Sequence, residues 1–144
     1  MNRGAGPQMP DLEADLRWEG GTLLSCRSGR AALELDWDSG ASASPVQALV
    51  FALAGCMASD VVLILEKGRQ PVQGLTVRVT AGRAEHPPRR LLRVDLRFTV
   101  TGEVPADKVE RAIALSRETY CSVWHSMARD IELETGFVVA PSPA

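Results

Sequence analysis

The chain has 144 residues, 45% of them apolar and 24% charged, the length and balance of one globular domain rather than of a disordered or fibrous chain. Its net charge of -2 gives no pull toward nucleic acid or an acidic membrane surface. Three cysteines and an opening stretch, MNRGAGPQMPDLEADL, without an apolar core predict a cytoplasmic protein with free thiols rather than a secreted disulfide scaffold.

Residues 1–10 are rich in Gly and Pro and are expected to be a flexible N-terminal segment. Leu12, Ala14, Leu16 and Trp18 then alternate with charged residues, the period of a strand with one buried face. Glu19-Gly20-Gly21 reads as a turn, Thr22 to Cys26 as a return strand, and Ser28-Gly29 as a second turn. Leu33, Leu35 and Trp37 alternate again, which completes a three-strand antiparallel meander. Residues 39–44 form a loop.

Ser44-Pro45 then offers an N-cap and a first-turn proline. Gly68 offers a C-cap and Pro71 a stop, so the spacing predicts a helix over about 45–67. That helix is apolar on nearly every face. A membrane span of about 20 residues has the same composition. Asp60 inside the apolar run and the amphipathic strands on either side argue against that reading. A helix apolar all round must be covered all round. One small sheet cannot do this, so other helices or a second subunit are expected to supply the rest, which points to a dimer whose interface includes this helix.

Leu75 to Ala81 and Leu92 to Val100 alternate with polar residues and read as a hairpin across the loop Gly82–Arg90. Pro105 opens a second helix whose narrow apolar face is Val109, Ala112, Ile113 and Ser116. Tyr120-Cys121 ends it, and Ser122 is placed to cap a short helix over 123–129. A last strand runs from Ile131, breaks at Gly136 and ends near Val139, and 141–144 is expected to be a loose tail. The order βββ-α-ββ-α-(short α)-β predicts an α+β fold with an antiparallel sheet and a single domain over 11–140.

Cys56 lies mid-helix among Ala54, Gly55 and Ala58, whose small side chains leave room beside the sulfur. Cys121 lies 65 residues later at the joint between two helices. A buried cysteine by itself is usually packing. Cys26, at a strand end beside Arg27, reads as structural. His125 stands four residues after Cys121, but without a Cys-x-x-Cys clamp no metal site is expected. The arginines Arg78, Arg83, Arg89, Arg90, Arg93 and Arg97 read as the solvated face of the second hairpin. No aromatic platform stands among them for nucleic acid.

Two segments carry a resemblance. The run SPVQALVFALAGCMASDVVLILEKGRQPV, residues 44–72, resembles the central helix of the OsmC/Ohr family, in which a small-small-Cys triplet follows the opening proline by eleven residues, as Cys56 follows Pro45. The run KVERAIALSRETYCSVWHSM, residues 108–127, resembles that family's second motif, Tyr-Cys-Ser after an amphipathic helix. Asp60-Val61-Val62 and Lys67-Gly68-Arg69-Gln70 look closest to the family's less-studied OsmC-like branch.

The resemblance implies an intertwined homodimer with no cofactor. It also implies that Cys56 attacks an organic hydroperoxide and becomes a sulfenic acid, that Cys121 resolves it as a disulfide, and that a dithiol reductant reopens the bond. That order is chemically sound, since a neighbouring thiol traps a sulfenic acid before over-oxidation. The family's carboxylate just after the proline is absent here, where Val46 and Gln47 stand. Gln47 is left to orient an arginine or a substrate oxygen by hydrogen bonding. Arg17, Arg27 and Arg30 are the arginines available in the first strands. Asp60, one turn beyond Cys56, is expected to be partnered by an arginine or to serve as a cap, because unpaired it would raise a thiol pKa. The alternative function is a non-enzymatic or redox-sensing dimer that binds a small apolar ligand.

Overall fold

The elements follow the expected order. The computed structural model describes Gly6 and residues 8–143. Residues 1–5, 7 and 144 lie outside the described residues, so the expected terminal segments 1–10 and 141–144 are covered only in part. The chain divides into two compact units, one up to Ala48 and one from Leu49 onward.

The first unit is the meander. Strands β1 (Asp15–Gly20), β2 (Leu23–Ser28) and β3 (Ala31–Asp36) pair antiparallel in the order β1-β2-β3. Register sets Leu16 beside Cys26 and Cys26 beside Leu33, and sets Trp18 beside Leu24 and Leu24 beside Leu35. The apolar residues thus share one sheet face, as their period-two spacing requires. Much of that face is open: Leu16, Trp18 and Leu33 are all more than half exposed.

The loop after β3 is held by one carboxylate. Asp36 accepts hydrogen bonds from the backbone N–H groups of Asp38 (2.9 Å), Gly40 (3.0 Å) and Ala41 (2.8 Å). These bonds and the Thr22 hydroxyl, the largest influence, hold its pKa down to about 2.

Helix α1 runs Pro45–Lys67, as the sequence predicts. Its first turn belongs to the first unit and the rest to the second. A capping box starts it. Gln47 N–H donates to Ser44 Oγ (3.2 Å) while Ser44 N–H donates to Gln47 Oε1 (2.9 Å). The C-terminus differs from expectation by one residue. Arg69, not Gly68, takes the left-handed conformation (φ +57°). Gln70 N–H reaches Leu65 O and Arg69 N–H reaches Glu66 O, a Schellman pattern.

In the second unit, β4 (Gly74–Arg83), β5 (Leu91–Thr101) and β6 (Glu132–Ala140) form a sheet in the order β4-β5-β6. β4 and β5 are the expected antiparallel hairpin. β6 departs from the antiparallel expectation, because it pairs with β5 in parallel. The helical connection over residues 102–131 explains this. A crossover of that length carries the chain back to the starting end of β5, whereas an antiparallel neighbour needs only a tight turn.

A register shift opposite Gly82/Arg83 also moves the start of β5. Leu91 is buried there and Leu92 exposed, the reverse of what strict alternation gives. β6 does not break at Gly136. That glycine pairs with Arg97, and a Cβ on it would meet the Arg97 guanidinium.

The core of this unit is the row Val94, Leu96, Phe98 and Val100 of β5, all 1% exposed or less. From α1 it takes Leu53, Met57, Val61 and Leu65, four residues at a spacing of four. From α2 (Ala106–Leu115) it takes Val109, Ala112 and Ile113. Part of α1 is left uncovered by its own chain: Phe51 is 65% and Leu63 53% exposed.

Candidate thiol site

The site begins with a defect in a helix. After α2 the chain makes one π-helical turn, Ser116–Tyr120, and Cys121 N–H donates to Ser116 O at 2.8 Å. A wider turn of this kind shifts every later side chain around the axis and is common at functional positions. Ser116 stays on the buried face of α2 and is fully buried. Its hydroxyl donates to Asp60 Oδ2 at 2.8 Å, which links the π-turn to α1. Asp60 is therefore partnered by a serine, not by the arginine or backbone cap expected from the sequence.

Cys121 leaves the helical region (φ -71°, ψ 99°) and caps the next helix, α3 (Ser122–His125). Its Sγ accepts from Trp124 N–H at 3.3 Å, and its carbonyl accepts from His125 N–H at 3.0 Å. The sequence placed this cap one residue later, at Ser122, and carried α3 on to 129. The sulfur does the work expected of the hydroxyl, and α3 ends at His125. The His125 side chain is exposed.

Cys56 and Asp60 stand four residues apart on α1, hence on one face. Cys121 comes to meet them. The two sulfurs and a carboxylate oxygen of Asp60 all lie within 4.8 Å of one another. Cys56 and Asp60 are half-buried and Cys121 is fully buried. All three cysteines of the chain are free thiols here.

Burial pushes the Cys121 thiol up to about 11, and its neighbours Cys56 and Asp60 push it the same way. The Trp124 N–H opposes them and loses. Cys121 therefore stays protonated at neutral pH. Beside Cys56, a Cβ on Gly55 would meet nothing within 4 Å, so this flank is open within the chain.

Gln47, expected to orient a substrate or an arginine, is engaged in the first unit. Its Oε1 accepts from Ser44 N–H and from the Ser39 hydroxyl (3.1 Å). Arg17 lies 3.7 Å from Glu19 in an exposed pair. Cys26 sits mid-strand between Leu16 and Leu33. Reading the sequence missed Ser116 as a partner of the site, although it left a signal. A hydroxyl on the apolar stripe of α2 and an acid inside the apolar α1 each need a buried polar partner, and they satisfy one another.

Two three-stranded sheets, a long apolar helix and two thiols that meet beside a carboxylate define an α+β protein built around a cysteine pair. The chain belongs to the OsmC-like family, whose model matches residues 38–136. It is 37% identical over 131 residues to Protein YhfA of Escherichia coli K12, which covers 89% of this chain and 98% of that protein. A hypothetical protein from Aquifex aeolicus VF5 has the same fold at a TM-score of 0.86 and 22% identity, covering 94% of this chain and 100% of the other. An organic hydroperoxide resistance protein from Elizabethkingia anophelis matches at a TM-score of 0.67 and 17% identity, covering 93% of this chain and 98% of the other.

Proposed function

We propose that the protein is a thiol peroxidase that reduces organic hydroperoxides. The observation that carries this reading is the meeting of the half-exposed Cys56 with the buried Cys121 within 4.8 Å. Cys56 is the reachable sulfur, so it takes the role of attacking thiol. Its thiolate attacks the outer peroxide oxygen, the O–O bond breaks, and the alcohol leaves with a proton. Cys56 is then a sulfenic acid. Cys121 attacks that sulfur, a disulfide forms and water departs. A dithiol reductant restores both thiols.

Cys121 suits the resolving role by its position beside Cys56, and its raised pKa keeps it a thiol while Cys56 is the sulfur open to substrate. Asp60, within the same 4.8 Å, is the carboxylate in reach of that thiol's proton. A relative of the same fold is named for organic hydroperoxide resistance, which agrees with this chemistry.

The working form in this reading is a cytoplasmic homodimer. The exposed apolar residues of the first sheet, Leu16, Trp18 and Leu33, and of α1, Phe51 and Leu63, are the surface that a second copy would cover. We read the two units as one OsmC-like domain, because the family match crosses the boundary between them and α1 runs through it. Stopped-flow mixing of reduced protein with cumene hydroperoxide and with hydrogen peroxide tests the proposal. Rapid loss of two thiols per chain, faster with the organic peroxide and absent in Cys56→Ser, is expected. Thiols that react no faster than free cysteine would refute it.

A further inference from the structure

The same three groups have the donor types of a metal centre. Cys56 Sγ, Cys121 Sγ and an Asp60 carboxylate oxygen lie within 4.8 Å of one another. In a tetrahedral zinc site, bonds of about 2.3 Å to sulfur and about 2.0–2.2 Å to carboxylate oxygen set neighbouring donors roughly 3.3–3.8 Å apart. The donors therefore lie somewhat wider apart than a bound ion would hold them, and binding would draw them together. Two of the donors are already fixed. Asp60 is held by Ser116 through Oδ2, which leaves its other oxygen free to turn inward. Cys121 is held by the backbone on both sides of its Cα.

We propose that Cys56, Asp60 and Cys121 form a three-ligand site for a thiophilic divalent cation of the zinc(II) class. Two thiolates and one carboxylate exclude magnesium and calcium, which take oxygen donors throughout. Mixed sulfur and oxygen donors suit zinc and its spectroscopic substitute cobalt(II). The fourth position opens on the Cys56 side, where the chain is half-exposed and Gly55 adds no side chain.

Binding requires no electron transfer. Two S–H bonds break, two metal–sulfur bonds form, Asp60 adds an oxygen, and two protons pass to solvent. Affinity therefore rises with pH. A metal held on both sulfurs and a disulfide between them exclude one another, so oxidation of the pair would expel the ion. The third ligand is Asp60 on α1, not the exposed His125 that the sequence offered beside Cys121.

This site stands apart from the peroxidase reading, because it needs only the reduced thiols, and its test contains no peroxide. Reduced full-length protein is titrated with cobalt(II), and zinc(II) is then measured in competition with a chromophoric chelator. One equivalent per chain with a sulfur-to-cobalt charge-transfer band is expected. Cys56→Ser and Cys121→Ser should each weaken zinc binding at least about 100-fold, and Asp60→Asn, which keeps an acceptor for Ser116, about 10-fold or more. Cys26→Ser should bind as the parent does. Absence of the charge-transfer band, or zinc binding that survives in the Cys56→Ser/Cys121→Ser double variant, would overturn the proposal. Folding of every variant is checked by its far-UV spectrum and thermal midpoint.

Discussion

The Ser116 hydroxyl donates to Asp60 Oδ2 at 2.8 Å, and this one bond joins the π-turn that carries Cys121 to the helix that carries Cys56. Both residues are polar groups on otherwise apolar faces. Removing the acceptor strands a fully buried hydroxyl. Asp60→Ala should therefore cost roughly 1–3 kcal/mol, while Asp60→Asn keeps the bond and should cost less than about 1 kcal/mol. Urea unfolding of the two variants reads the difference. Equal losses would mean that the bond does not hold the turn.

Cys121 is predicted to be silent without Cys56. Burial, with Cys56 and Asp60 beside it, raises its pKa to about 11, so at pH 7 to 8 it is a thiol and a poor nucleophile. In Cys56→Ser the remaining Cys121 should react with alkylating reagent slowly, and faster as pH climbs toward 11. In the parent protein, Cys56 should be labelled first. Alkylation followed by peptide mass spectrometry gives the order. Labelling of Cys121 ahead of Cys56 would contradict the assignment of roles.

The capping box at the start of α1 predicts a structural effect for Gln47. Ser44→Ala should destabilise the protein by about 1 kcal/mol through loss of the N-cap. Gln47→Ala should lower the thermal midpoint as well, since it removes the acceptor for Ser44 N–H and for the Ser39 hydroxyl. Peroxide turnover by Gln47→Ala separates the two roles. An unchanged KM assigns Gln47 to the cap alone, and a raised KM with unchanged kcat assigns it to substrate binding.

Asp36 predicts a pH dependence. Its folded-state pKa is about 2, below the usual carboxylate value near 3.9. The unfolded chain therefore takes up the proton first as acid is added. Stability from Asp36 is complete above about pH 4 and is lost as pH falls toward about 2. In Asp36→Asn that part of the acid dependence should vanish. Chemical unfolding at a series of pH values from 6 to 2 measures it.

Period and punctuation made most of the fold legible in the sequence. Pro45 and the apolar run set α1 to the residue, and alternation set the strands to within a few positions. The misses have separate causes. β6 runs parallel to β5 because a helical crossover precedes it, and strand direction leaves no trace in an alternating pattern. Leu91 replaces Leu92 in the core because an irregular register interrupts the alternation. A π-turn has no residue signature, so its placing of Cys121 beside Asp60 was out of reach. The two cysteines were legible through the motifs around them. Ser116 was legible only as a hydroxyl on the apolar stripe of α2 that needs a buried partner, and which partner it takes depends on how α2 meets α1.

The proposed mechanism requires Cys56 and Cys121 to be chemical partners. Reduced protein treated with one equivalent of cumene hydroperoxide per chain, then alkylated and digested without reductant, tests this directly by mass spectrometry. The expected product is one peptide pair joined through Cys56 and Cys121, two mass units lighter than the reduced peptides together as two thiol hydrogens are lost, with Cys26 alkylated. A disulfide that involves Cys26, or recovery of Cys56 as sulfinic acid with Cys121 alkylated, would contradict it.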